Sequence, residues 1–223
     1  MCFLMPLLLG AQLNNAYLNQ TLPGKKLTMF APNIISDEFG NRDMAISPKG
    51  DEIFYTMQYN YGMLSTILYS KKENGKWTTP EVADFCGQHK DLEPALSYDG
   101  TKLYFSSNRP LTDTGNEKDY DLWYVTKVNG KWGNPVNMGS PVNTQKDEYY
   151  ASTAKSNNIY FTRAVEGRGE DIMVCKFIDG KYGEAESLPN SINSTGDEFN
   201  AFVALLLRCY IKHFLSGVYS SNS

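Results

Sequence analysis

The side chains best suited to chemistry in this sequence are acidic, and they recur. Asp43, Asp91, Glu93, Asp147, Glu148, Asp197 and Glu198 each precede a short apolar run, and Arg109 and Arg163 stand at the far end of such runs. A ring of carboxylates can hold a cation or a basic peptide. Paired carboxylates are also what glycoside hydrolysis uses as acid and base. A plainer role competes with both. Each carboxylate can cap a backbone turn or pair with Arg109 or Arg163, because residues repeated in a repeat fold usually serve each unit's own structure. Asp43, Glu93, Arg109, Glu148, Arg163 and Glu198 are therefore the candidate binding residues, expected to face a central channel. No residue is assigned as catalytic or metal-binding, and no cofactor is called for.

Other chemistries lack their parts. Cys2, Cys86, Cys175 and Cys209 show neither C-x-x-C nor Cys/His spacing, so no zinc site or disulfide framework is supported. The two histidines, His89 and His213, lie far apart in the chain, and no Gly-x-Ser-x-Gly elbow accompanies them. A net charge of -4 with mixed signs gives no footprint for nucleic acid. Asn19-Gln20-Thr21 and Asn193-Ser194-Thr195 match the glycosylation sequon, which matters only in a eukaryotic secretory pathway.

The elements that must position the carboxylates are short strands and tight turns. From Asp91 to Ser107 the chain reads as strand, Asp99-Gly100 turn, strand. Asp-Gly between apolar runs is a hairpin signal, because Gly accepts positive φ without a Cβ clash. The hairpin recurs. Asp43–Tyr55 aligns with Glu93–Phe105 at an offset of 50, and a third copy starts at Asp147-Glu148, offset 56 from Asp91. There Lys155-Ser156-Asn157-Asn158 replaces Asp-Gly, and Asn also tolerates the left-handed region. A fourth copy starts at Asp197, again offset 50. A second hairpin follows each of the first three, turning at Asn74-Gly75, Asn129-Gly130 and Asp179-Gly180, with Trp77, Trp132 or Tyr182 two residues later.

Four short antiparallel strands per unit, at a period of roughly 50 residues, predict β-propeller blades. Aromatics at 13% suit strands, and residues 37–203 show no sustained helical period. Blades are expected at about 37–86, 87–142 and 143–196, with the first strand of a fourth from 197: an all-β, incomplete propeller. Trp77, Trp132 and Tyr182 are expected between blades, not as a platform for sugars.

The stretch Glu93 to Arg109, with Asn129-Gly130-Lys131-Trp132 and Pro135 after it, resembles the TolB-type, WD40-like propeller repeat of bacterial envelope proteins. The resemblance covers 37 to about 203. The lead-in Tyr17–Gly24 and Phe30-Ala31-Pro32 is similar to the segment before the first blade in small secreted members. The resemblance implies a propeller, usually of six blades, in the periplasm or outside the cell. It implies a non-enzymatic binding or scaffold module with protein or peptide partners, not a reaction. A propeller glycoside hydrolase or lyase, and a nonfunctional fragment of a longer propeller, are the alternatives.

The ends depart from the repeat. Residues 1–11 are apolar and too short to span a bilayer, and their length suits a signal-peptide remnant; 12–36 read as an extended lead-in. After Val203 the expected Asp-Gly turn is missing. Residues 204–223 read either as a break in the repeat, with truncation mid-blade, or as an amphipathic helix through Leu207, Tyr210, Ile211, Phe214 and Leu215. An arc of blades that does not close leaves sheet edges open, so self-association is expected and a membrane span is not.

Overall fold

A computed structural model describes residues 20, 25, 27–32, 34–112, 114–203 and 209–214. Residues 1–11, most of the lead-in and the greater part of 204–223 lie outside the described residues. The first sheet holds β1 (Gly40–Ile46), β2 (Glu52–Tyr59), β3 (Leu64–Glu73), β4 (Lys76–Trp77) and β5 (Glu81–Val82). The second holds β6 (Asp91–Leu96), β7 (Lys102–Ser107), β8 (Asp121–Val128), β9 (Lys131–Trp132) and β10 (Val136–Asn137). The third holds β11 (Glu148–Thr153), β12 (Ile159–Val165), β13 (Gly169–Ile178) and β14 (Lys181–Ser187). A fourth sheet pairs β15 (Asp197–Val203) with β16 (Cys209–Phe214). Each sheet is an antiparallel meander, and no element among the described residues is a helix. Cys209–Phe214 is thus a strand where spacing alone allowed an amphipathic helix.

Local chemistry explains each joint. The second hairpins turn with positive φ at both central residues, Asn74 and Gly75, Asn129 and Gly130, Asp179 and Gly180, the geometry that matches strand twist. The first hairpins use longer loops. Gly100 N–H donates to Ser97 O at 2.9 Å, and Asn157 N–H to Ala154 O at 2.9 Å, with positive φ at Gly100 and Asn157. The outermost strand of each of the first two blades is split in two, β4 with β5 and β9 with β10. Pro80 and Pro135 interrupt it because proline has no N–H to donate. Ala185 stands at that place in the third blade, pairs with Cys175, and β14 runs unbroken.

The middle strands read as continuous apolar runs because both faces are covered, by neighbouring blades or by the lead-in. Ile53 and Tyr55 pack on Ala31 and Ile35 of the lead-in. Phe54 packs with Leu103, Phe105 and Trp123 of the second blade. Tyr104 and Leu122 meet Ile159, Phe161 and Cys175 of the third. Trp132 stands edge-on to Phe54, centroids 5.5 Å apart, and Tyr182 brings its hydroxyl to 3.5 Å from that of Tyr104. These two aromatics lie between blades.

Candidate functional site

Every innermost strand carries the same defect. The ladder slips between Arg42 and Ala45, Leu92 and Ala95, Tyr149 and Ser152, and Phe199 and Phe202. Inside each slip one non-glycine residue has positive φ: Asp43 (54°), Glu93 (60°), Tyr150 (51°) and Asn200 (59°). Asn and Asp enter this region readily, but Glu and Tyr do so with backbone strain of roughly 1–3 kcal/mol each. The four bulge residues border one cleft of about 480 Å3, whose wall continues along Met44, Pro94, Ala151 and the exposed Phe202. Each bulge contributes one residue to the wall of this cleft, and bulges often re-aim a side chain beside a site.

This register corrects the expected carboxylate ring. Asp91 is in line with Glu148, an offset of 57, because Leu96 pairs with Leu103 and Thr153 with Ile159 across a loop one residue shorter. The offset of 56 holds only for the second strands. Asp43 and Glu93 therefore share the bulge position with Tyr150 and Asn200, whereas Glu148 and Glu198 stand two residues earlier, with Asp91. The structure brings Asp43 and Glu93 together at the cleft and places the other candidates apart from it.

Glu93 holds three blades together. Its carboxyl accepts hydrogen bonds from Ser106 Oγ at 3.0 Å and Tyr150 N–H at 3.0 Å, and from Arg42 Nη2 at 3.2 Å. Its own N–H donates to Thr56 Oγ1 at 2.8 Å. Arg42 in turn touches Asp43 at 2.5 Å, the Tyr150 hydroxyl, and the face of the Tyr150 ring. Burial and the Asp43 charge push the Glu93 carboxyl well above the usual carboxylate range, against the pull of Arg42 and Ser106. The acid is thereby biased toward its protonated form while its neighbour Asp43 borders the open cleft.

The other candidates occupy closed arrangements. Asp91, fully buried, takes Arg109 Nη2 at 2.5 Å, and Arg109 also reaches Ser107 Oγ and Phe85 O. Glu148, also fully buried, takes Arg163 Nε at 2.8 Å and the N–H and hydroxyl of Thr144 at 3.1 and 2.7 Å. Glu198 repeats this with Ser194, at 2.8 and 2.6 Å.

Two residues went unassigned as candidates: Asn143 and Asn193. Asn143 accepts from Leu122 N–H and donates to Leu122 O, both at 2.9 Å. Asn193 does the same with Ile172, at 2.9 and 2.9 Å. The signal was readable in the paired runs Val142-Asn143-Thr144 and Ile192-Asn193-Ser194. Asn193 is fully buried with its amide engaged, so its sequon lies inside the fold.

A structure assigned as TolB from Agrobacterium tumefaciens is similar to 78% of this chain, with a TM-score of 0.54 at 14% identity. The fold is that of an incomplete β-propeller. A puromycin-hydrolyzing peptidase from Mycobacterium tuberculosis is similar over 73% of this chain, with a TM-score of 0.50 at 13% identity. The chain spans about half (54%) of the TolB structure and 24% of the peptidase. No protein-family model and no curated protein matches the chain. At these identities the likeness carries the fold and not a role. Among the described residues no helix is long and apolar enough to cross a membrane.

Proposed function

We propose that this propeller is a non-enzymatic binding or scaffold module acting in the periplasm or outside the cell, and that a protein or peptide partner docks at the central cleft. The observation that carries the reading is the set of four equivalent bulges at Asp43, Glu93, Tyr150 and Asn200. Strain repeated at one position and directed at one cleft points to use rather than accident. The cleft offers a carboxylate at Asp43, a ring at Tyr150 and an apolar wall ending in Phe202, which suits an extended segment carrying a basic residue beside apolar ones. The resemblance to TolB-type repeats and the TolB neighbour support an envelope location.

The test is binding of a displayed library of short peptides to the purified chain. Enrichment of basic-apolar peptides, with affinity lost on Asp43→Asn and Phe202→Ala, is the expected result. Peptide binding indifferent to both substitutions would remove the cleft from the proposal. Self-association through open sheet edges belongs to the same reading, and a monodisperse monomer in light scattering would contradict it.

One observation favours a second reading. Glu93, biased toward the protonated acid, lies beside a second carboxyl at Asp43, and carboxyls in unlike environments are what a glycoside hydrolase or lyase divides into acid and base. Turnover of a glycan, abolished by both Glu93→Gln and Asp43→Asn, would replace the binding module with an enzyme.

A further inference from the structure

A second cavity, of about 540 Å3, lies on blade two away from the central cleft, between the segment after β5 and the loop after β7. Its walls include Asp84, Gln88, His89, Arg109, Trp123 and Asn134. We propose that this pocket binds a small neutral polyol, of which a monosaccharide is the simplest, a site independent of the cleft.

Three features select that chemistry. First, Trp123 is 6% exposed and its indole N–H has no partner among the described residues; the same holds for Nδ1 of His89. Buried polar atoms are normally satisfied, and these two belong to residues that line the cavity. Second, the ring face of Trp123 is already covered by the Arg109 guanidinium, 5.4 Å from its centroid. The tryptophan is left to offer its N–H rather than its π face. Third, the charges oppose one another. Asp84 at the rim disfavours an anion, and the buried Arg109, engaged with Asp91, Ser107 and Phe85, disfavours a cation. Hydroxyl groups both donate and accept, so they suit amide, imidazole, carboxylate and indole neighbours without carrying charge.

Nucleophilic chemistry does not compete for the pocket. Cys86 also lines it, but burial and the nearby Asp91 push its thiol well above the ordinary range, the reverse of an activated thiolate.

The experiment is a calorimetric and saturation-transfer NMR titration of the full chain with glucose and with N-acetylglucosamine, with acetate and methylammonium as charged probes. Saturable sugar binding in the low-millimolar range that ligands of this size reach is the expected result. Trp123→Phe keeps an aromatic six-membered ring, removes the donor and should weaken binding by about tenfold. Asn134→Ala, at the exposed rim, does not disturb the core and should weaken it by about threefold. The proposal is overturned if neither sugar binds a chain that still unfolds cooperatively, if acetate or methylammonium binds in their place, or if sugar binding survives Asn134→Ala undiminished. Should Trp123→Phe fail to fold, the Asn134→Ala result decides.

Discussion

Glu93 and Glu148 are the same residue type, both buried, two positions out of step in the same repeat. Glu148 sits where the innermost strand begins. Its oxygens accept from Thr144 within its own loop and from Arg163 on the next strand. It closes a unit. Glu93 sits at the bulge and accepts from blades one, two and three together. It opens onto the cleft and joins units. Burial pushes both carboxyls up, yet the opposing pulls differ: Thr144 and Arg163 for Glu148, Arg42 and Ser106 against the Asp43 charge for Glu93. A buried acid's role is thus set by how many elements it serves and by whether it retains a path to solvent.

The contrast can be broken most severely at Glu148. Glu148→Ala leaves the Arg163 guanidinium largely buried beside Pro141 O and Val142 O without its countercharge. We expect a loss of about 3 kcal/mol, because removing one partner of a buried pair strands the other charge. Urea titration checks it, and a loss indistinguishable from that of an exposed lysine substitution would sink the closed-unit reading. Asn193→Ala should come next, at about 2 kcal/mol, because it abandons Ile172 N–H and C=O in the buried clasp of the third blade. Asn143→Ala should match it, since Asn143 makes the same clasp on Leu122.

Glu93 shows its role in the pH dependence of stability. Its folded-state carboxyl binds its proton more tightly than in the unfolded chain. Its stabilising contribution is therefore fully present below the ordinary glutamate range and is lost as pH rises toward its elevated value. Glu93→Gln should remove that descending arm and leave the midpoint at pH 7 unchanged or slightly higher, by up to about 1 kcal/mol. Thermal melts between pH 4 and 8, on the wild type and the variant, give the answer (both pH limits are roughly the window in which glutamates titrate in folded proteins). A variant that loses stability at neutral pH would mean that the ionised form with Arg42 is the stabilising one.

Most of the architecture was legible because its signals are local. Asn-Gly and Asp-Gly fix the second hairpins, the runs Ile53-Phe54-Tyr55 and Leu103-Tyr104-Phe105 declare strands buried on both faces, and recurrence joins them into blades. The site was legible only in half. Asp43 and Glu93 were found in register, but Glu148 and Glu198 were grouped with them as acids at the entry of a blade, although they stand two residues earlier, in line with Asp91. A bulge is set by backbone pairing across strands and leaves no fixed residue type: Asp, Glu, Tyr and Asn fill it in turn. Tyr150 and Asn200 therefore carried no signal as partners of Glu93. The split of the outermost strand was written in Pro80 and Pro135, and its absence in Ala185.

The smallest effect sharpens the contrast furthest. Tyr150 contributes its N–H to Glu93 and its ring and hydroxyl to Arg42. Tyr150→Phe keeps the N–H and the ring and deletes only the hydroxyl. Because Arg42 still has Glu93 and Asp43, stability should fall by no more than about 0.5 kcal/mol. The effect on recognition should be larger than the effect on folding, since Tyr150 borders the cleft where the peptide would dock. Without that hydroxyl at the cleft a docked peptide loses one hydrogen-bonding neighbour and should bind about threefold more weakly. If Tyr150→Phe alters stability and peptide affinity equally, the bulge residues serve the fold alone, and Glu93 would then belong with Glu148 as one more internal tie.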